Sequence, residues 1–239
     1  VNLSDLAAMG AEPAWFLLSL SLPHTKQDWL ESFARGMADL AGKSGILLAG
    51  GDVTSGPLNV CVTALGLVEP GQEIRRSGAR PGDRVVVSGR PGAAARALQV
   101  LEAGGVPDAR DRAALEFPQP RLRLGRGLQG MATACIDISD GLLADLGHIL
   151  EASGAGAELD VQSLPCPESM ASLPERERWP LQLAGGDDYE LCFTSAEPLP
   201  GELAGVPVTA IGTVNEGDRL VCRSAGAIVE VDDSGYRHF

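Results

Sequence analysis

Four acid-bearing segments hold most of the chemistry available to this sequence. In Ile136-Asp137-Ile138-Ser139-Asp140-Gly141-Leu142-Leu143, two carboxylates stand three residues apart, with a serine between them and a glycine after. The stretch Asn2-Leu3-Ser4-Asp5-Leu6-Ala7-Ala8-Met9-Gly10 carries Ser4 and Asp5 near its start. Apolar Ile46 to Ala49 runs into Gly50-Gly51-Asp52, and Gly185-Gly186-Asp187-Asp188 repeats that pattern ahead of Tyr189-Glu190-Leu191-Cys192-Phe193-Thr194. Glycines beside a carboxylate let the backbone approach a ligand in dihedrals that other residues resist. Serine and aspartate at such places have two readings, because they are also the ordinary N-caps of helices. Clustered carboxylates, with only three histidines in the chain and no paired cysteines, suit magnesium rather than zinc. Magnesium is held by a few carboxylates, water and substrate phosphate, so the natural reading is a phosphate-handling enzyme.

These acids need elements to carry them. Apolar Met131 to Ile138 reads as a strand, and Leu142, Leu143, Leu146, Ile149 and Leu150 recur at helical spacing. Asp137, Ser139 and Asp140 therefore fall between a strand's C-terminal end and a helix's N-terminus, where open sheets covered by helices bind ligands. Ahead of them the pattern predicts a short helix at 2–9, a strand at 15–22, a long helix near 28–41, and buried strands at 45–49 and 58–67. A turn at Glu69-Pro70-Gly71 and the basic connector 75–83 suggest a domain boundary, giving residues 1–74 and 75–239. Beyond it come a strand at 84–89, helices at 93–103, 109–116, 121–129 and 142–152, and strands at 157–161, 189–194, 208–212, 219–222 and 227–231. The expected class is mixed α/β, with two domains, each a mixed sheet covered by helices.

Composition narrows the function. A chain of 239 residues has room for two compact domains, and a hydrophobic fraction of 44% is ordinary for a globular protein. Its longest apolar runs fall short of a bilayer span, so no membrane partner is expected. The five cysteines lack CxxC spacing, and four sit in apolar strand patterns; buried thiols in a reducing cytoplasm are the expectation. A formal charge of −13 argues against nucleic acid. It leaves ATP open, because acids that hold magnesium present a positive site once the metal is in place.

Segments 1–10, 50–54, 76–83, 136–154, 185–193 and 235–239 resemble, in order, successive motifs of the thiamine-monophosphate kinase family. The resemblance implies a fold like that of aminoimidazole ribonucleotide synthetase and a homodimer formed through strands of the first domain. It implies transfer of the terminal phosphoryl group of ATP to thiamine monophosphate with Mg2+. By the same resemblance Asp5, Asp52, Asp137 and Asp140 hold metal, and Gly51, Asp52, Arg76 and Ser139 bind ATP. Asp187 and Tyr236 face thiamine monophosphate; Asp187 stands where the family usually has glutamate. No catalytic side chain is expected, since the attacking phosphate oxygen is already anionic; this agrees with the lack of a nucleophile-plus-histidine arrangement. His24, His148 and His238 are expected to face solvent or cap helices. Val1 falls inside a motif, so the chain is expected to be a fragment lacking an earlier acidic turn. Two alternatives stay open: another ATP-using synthetase or dehydratase of the same superfamily, and an inactive nucleotide-binding dimerisation module.

Overall fold

The computed structural model describes residues 1–24 and 26–231. Helix α1 (Asn2–Ala8) leads into strand β1 (Glu12–Leu22), helix α2 (Gln27–Ser44) and strands β2 (Leu47–Ser55) and β3 (Asn59–Leu67). These strands form a three-stranded sheet in the order β2-β1-β3, with β1 parallel to β2 and antiparallel to β3. The second part holds β4 (Arg84–Ser88), α3 (Ala93–Glu102), α4 (Ala109–Glu116), α5 (Leu122–Gly127), β5 (Ala134–Asp137), α6 (Leu142–Ser153) and β6 (Gly156–Asp160). It continues through α7 (Glu175–Leu183), β7 (Leu191–Ser195), β8 (Glu202–Leu203), β9 (Val206–Asn215), β10 (Leu220–Ser224) and β11 (Ala227–Ile228). Its sheet runs β11-β10-β6-β9-β4-β7-β5, with β8 paired to β9. The expected mixed α/β class is what forms.

Strand periodicity explains the second sheet's two covered faces. Val85 and Val87 point into one core with Ile136, Leu142, Leu146 and Ile149, while Val86 points into the other with Leu124, Leu128 and Phe193. Successive side chains alternate across a pleat, so a run of valines is what a doubly covered strand requires. Helix α1 joins the two parts: Leu3 and Leu6 pack with Phe16 and Ile46 of the first, and Ala7 and Ala8 pack beneath the second sheet.

Several expectations need correction. Strands β2 and β3 are largely exposed rather than buried; α2, the helix between β1 and β2, has no buried residue of its own and seals neither strand. Gly50, Gly51 and Asp52 lie inside β2 instead of forming a turn after a strand. Cys61 is exposed, whereas Cys135, Cys192 and Cys222 are buried as expected. Helix α7 has no counterpart in the sequence reading; it starts after Pro174 and contains Pro180, a residue that usually ends a helix. His24 and His148 are exposed as expected, and no helix among the described residues is long and apolar enough to cross a membrane. Tyr236 and His238 lie outside the described residues.

Candidate active site

Strand β5 ends at Asp137, which is 5% exposed. The chain then turns through Ile138, Ser139 and Asp140 before α6 begins at Leu142. Backbone bonds stitch this turn to the second glycine-acid segment. Ile138 donates to the Glu190 carbonyl at 2.8 Å, Tyr189 donates to the Ile138 carbonyl at 2.8 Å, and Asp187 donates to the Ser139 carbonyl at 2.9 Å. The fit leaves no room for a side chain at Gly186, where a Cβ would lie 2.5 Å from the Ser139 carbonyl oxygen. A first-turn acid of α6, Asp145, ties the same turn from the other side. Its Oδ2 accepts from the amides of Ser139 at 2.8 Å, Asp140 at 3.0 Å and Gly141 at 3.2 Å.

Helix α1 brings Asp5 to this turn, and the connector after β3 brings Arg76. A cavity of about 150 Å³ results, lined by Asp5, Arg76, Asp137, Ser139 and Asp140, with Asp145, His148 and Tyr189 completing the wall. Negative charge is crowded here. Burial and the neighbouring Asp137 push the Asp5 carboxyl up, opposed by Arg76. Burial likewise raises Asp145 to about 6, with Asp140 and Asp137 adding to it and the amides of Ser139 and Asp140 opposing it. The Tyr189 phenol is pushed up by burial and by its bond to Asp187, which it reaches at 3.0 Å.

Such crowding suits a cation. Among the described residues, no three His, Cys, Asp or Glu side chains close on one point as a protein-only metal cage does. Magnesium does not need one, since it takes one or two carboxylates and fills its octahedron with water and phosphate oxygens. The donors present are hard oxygens, and they fit that ion.

Beyond the cavity, the other expected residues are distributed as follows. Asp52 is exposed on β2, an edge strand of the first sheet, and accepts from the Val53 amide at 2.9 Å; it does not line the cavity. Gly51 has a packing reason of its own, because a Cβ there would meet the Leu18 carbonyl oxygen at 1.9 Å. Asp187 is exposed at φ 65° and reaches the cavity only through Tyr189. Asp188 turns inward: its Oδ2 accepts from the Gly92 amide at 2.7 Å, ahead of α3, and burial raises its pKa well above the usual range. It is structural, tying this turn to the start of α3.

Sequence reasoning missed Asp145, the His148 and Tyr189 walls, and a half-buried ion pair. Arg121 grips Glu190 with both prongs, Nε to Oε2 at 2.7 Å and Nη2 to Oε1, while Ser88 donates to the same carboxylate. For Asp145 a signal existed, since an acid in a helix's first turn can reach back to amides that precede the helix. His148 also borders a larger cavity of about 950 Å³ between α6 and the β10–β11 region, which Val231 helps to line.

Comparison with known proteins bears on this arrangement. Residues 1–68 match the family described as AIR synthase related protein, N-terminal domain, and residues 80–224 match AIR synthase related protein, C-terminal domain. The thiamine-monophosphate kinase of Escherichia coli (strain K12) is 43% identical over 254 aligned positions, covering all of this chain and 78% of the relative. A crystal structure of thiamine-monophosphate kinase from Stenotrophomonas maltophilia K279a superposes with a TM-score of 0.87 at 43% identity, over 95% of this chain and 77% of that one. A structure described as AaThiL complexed with AMPPCP and TMP has a TM-score of 0.86 at 30% identity, over all of this chain and 77% of that one.

Proposed function

The chain belongs to the thiamine-monophosphate kinase family within the AIR synthase related proteins, and from that premise we propose that it transfers the terminal phosphoryl group of ATP to thiamine monophosphate. The observation that carries the reading is the meeting of Asp5, Arg76, Asp137, Ser139 and Asp140 around one cavity. Both reactants are phosphates. The attacking group is a phosphate oxygen of the acceptor, anionic near neutral pH, so no general base is needed. What the protein must supply is in-line alignment and neutralisation of charge.

Asp5, Asp137 and Asp140, with Asp52 from the first sheet, would hold Mg2+, whose chemistry when bound is to offset repulsion between the two anions. Arg76 places a planar guanidinium fork, suited to phosphate oxygens, on the nucleotide. Ser139 serves the nucleotide through its hydroxyl, since its amide is committed to Asp145. Gly51 takes a backbone part beside Asp52. Asp187, held by Tyr189, faces the thiamine half of the acceptor. Tyr236, outside the described residues, takes the thiazolium of the acceptor; a cation over its ring gains roughly 0.5–2 kcal/mol.

The working unit is a homodimer joined through the first sheet. Trp15 is opposite Leu65 on one side and Leu47 on the other, so the three share a face, and they are 44%, 44% and 63% exposed. An apolar face of this kind on a soluble enzyme marks a contact surface. The division between the domains falls between residues 74 and 75, and the enzyme works in the cytoplasm, where ATP and reduced thiols such as Cys135 and Cys192 belong.

Calorimetric titration tests the central reading. Thiamine monophosphate added to the intact protein with magnesium and a non-hydrolysable ATP analogue is expected to give saturable heat. Absence of binding overturns the assignment. Formation of ADP with formylglycinamidine or carbamoyl acceptors, and none with thiamine monophosphate, transfers it to another ATP-using enzyme of the superfamily.

A further inference from the structure

Asp145 takes no part in the roles above, yet it is among the most constrained carboxylates in the molecule. It is 2% exposed, and one oxygen accepts from three successive amides, those of Ser139, Asp140 and Gly141. All three amides precede Leu142, the first residue of α6. An ordinary N-cap serves amides inside the helix; this carboxylate reaches backwards and holds the turn instead. Three consecutive amides aimed at one point ahead of a helix form a nest that would otherwise bind phosphate. Here the chain fills that nest with an anion of its own.

The consequence for the site is geometric. The turn is fixed on its other side by the Asp187 and Tyr189 amides, which donate to the Ser139 and Ile138 carbonyls. Donors and acceptors of the turn are thus held from both sides, and Asp137, Ser139 and Asp140 line the cavity with Asp5.

We propose that Asp145 is a positioning residue of the phosphoryl-transfer site: it occupies the amide nest ahead of α6 and thereby aims Asp137, Ser139 and Asp140 at the reactants. The part concerning turnover rests on the kinase reading; the part concerning the turn does not. Asp145→Ala and Asp145→Asn in the intact protein separate the possibilities. In D145A, hydrogen exchange at the amides of Ser139, Asp140 and Gly141 is expected to accelerate at least about tenfold while the amides of Val86 and Phe193 keep their protection. Turnover should fall at least about tenfold, with KM for thiamine monophosphate held within about threefold. D145N keeps an oxygen acceptor in the same place and should restore most of both.

Unchanged exchange in D145A overturns the proposal. So does a D145N enzyme with protected amides and turnover as low as D145A, since the charge itself would then be the active property. Should D145A fail to fold, Asp145→Ser, too short to reach Ser139, gives the same comparison. A wild-type protein that makes no thiamine diphosphate removes the kinase reading, while the exchange result still decides whether Asp145 holds the turn.

Discussion

The amide of Asp187 donates to the carbonyl of Ser139 at 2.9 Å, so two acid-bearing segments nearly fifty residues apart in sequence form one hydrogen-bonded unit. One segment carries the acids assigned to metal, and the other carries the acid assigned to the thiamine side. A disturbance in either is transmitted to both.

Gly186→Ala tests this junction. Its Cβ would sit 2.5 Å from the Ser139 carbonyl oxygen, and overpacking of this kind costs about 1–3 kcal/mol. Urea denaturation should show a loss of that size, with kcat/KM lowered at least about tenfold. Wild-type turnover in a G186A protein would show that the two segments act separately.

Asp140→Asn removes a charge without changing shape. Turnover is expected to drop at least about tenfold, with a higher magnesium concentration needed for half-maximal rate. If the magnesium dependence does not move, Asp140 leaves the metal site.

Arg121→Ala strips the partner from Glu190, whose side chain is 9% exposed. The Arg121 side chain is 27% exposed and Ser88 still donates to the Glu190 carboxylate, so the loss should be on the order of 1–3 kcal/mol, below that of a fully buried pair. The Arg121→Met, Glu190→Gln double variant should recover part of that loss in thermal or urea unfolding. Equal stability of R121A and wild type would mean that the pair does not anchor β7 to the start of α5.

Asp145 also sets a pH dependence. Its carboxyl is raised from 3.8 to about 6, first by burial and then by Asp140 and Asp137. Between those values the folded protein keeps a proton that the unfolded chain has released. The group therefore contributes most to stability below about pH 4, and that contribution is lost as pH rises through 6. Full expression of the shift amounts to about 3 kcal/mol. Relative to Asp145→Asn, the wild-type protein should lose on the order of 1–3 kcal/mol between pH 4 and pH 7 without divalent cation. A stability difference that stays constant across that range contradicts it.

Leu65→Asp places a charge on the bare face of the first sheet. Sedimentation should report a dimer for the wild-type protein and a monomer for the variant, with folding intact because Leu65 is already 44% exposed. A wild-type monomer at all concentrations removes the dimer.

The turn at Asp137–Asp140 was legible because two periodicities meet there: an apolar run of strand type ends and leucines at helical spacing begin. The valines at 85–87 were legible for the same reason. Gly50 and Gly51 misled, since paired glycines before an acid read as a turn, whereas here Gly51 lets β2 lie against the Leu18 backbone. Burial of β2 and β3 was inferred from apolar content, which does not distinguish a core face from an exposed one. Prolines at 174 and 180 hid α7, although Pro180 still accepts the Ala184 amide at 3.0 Å and the helix continues past it. The place of Asp145 in a first helical turn was legible, but its role was not, because a first-turn acid looks the same whether it faces water or the backbone behind it.

Helix α1 has a core on each side: Leu3 and Leu6 toward the first sheet, Ala7 and Ala8 toward the second. A rod wedged in this way leaves no slack joint between the two halves. Any opening of the enzyme must shear one of those apolar seams, and Asp5 rides on the wedge itself. The gap from Asp5 to Asp137 is therefore the gauge on which such a slide would register first.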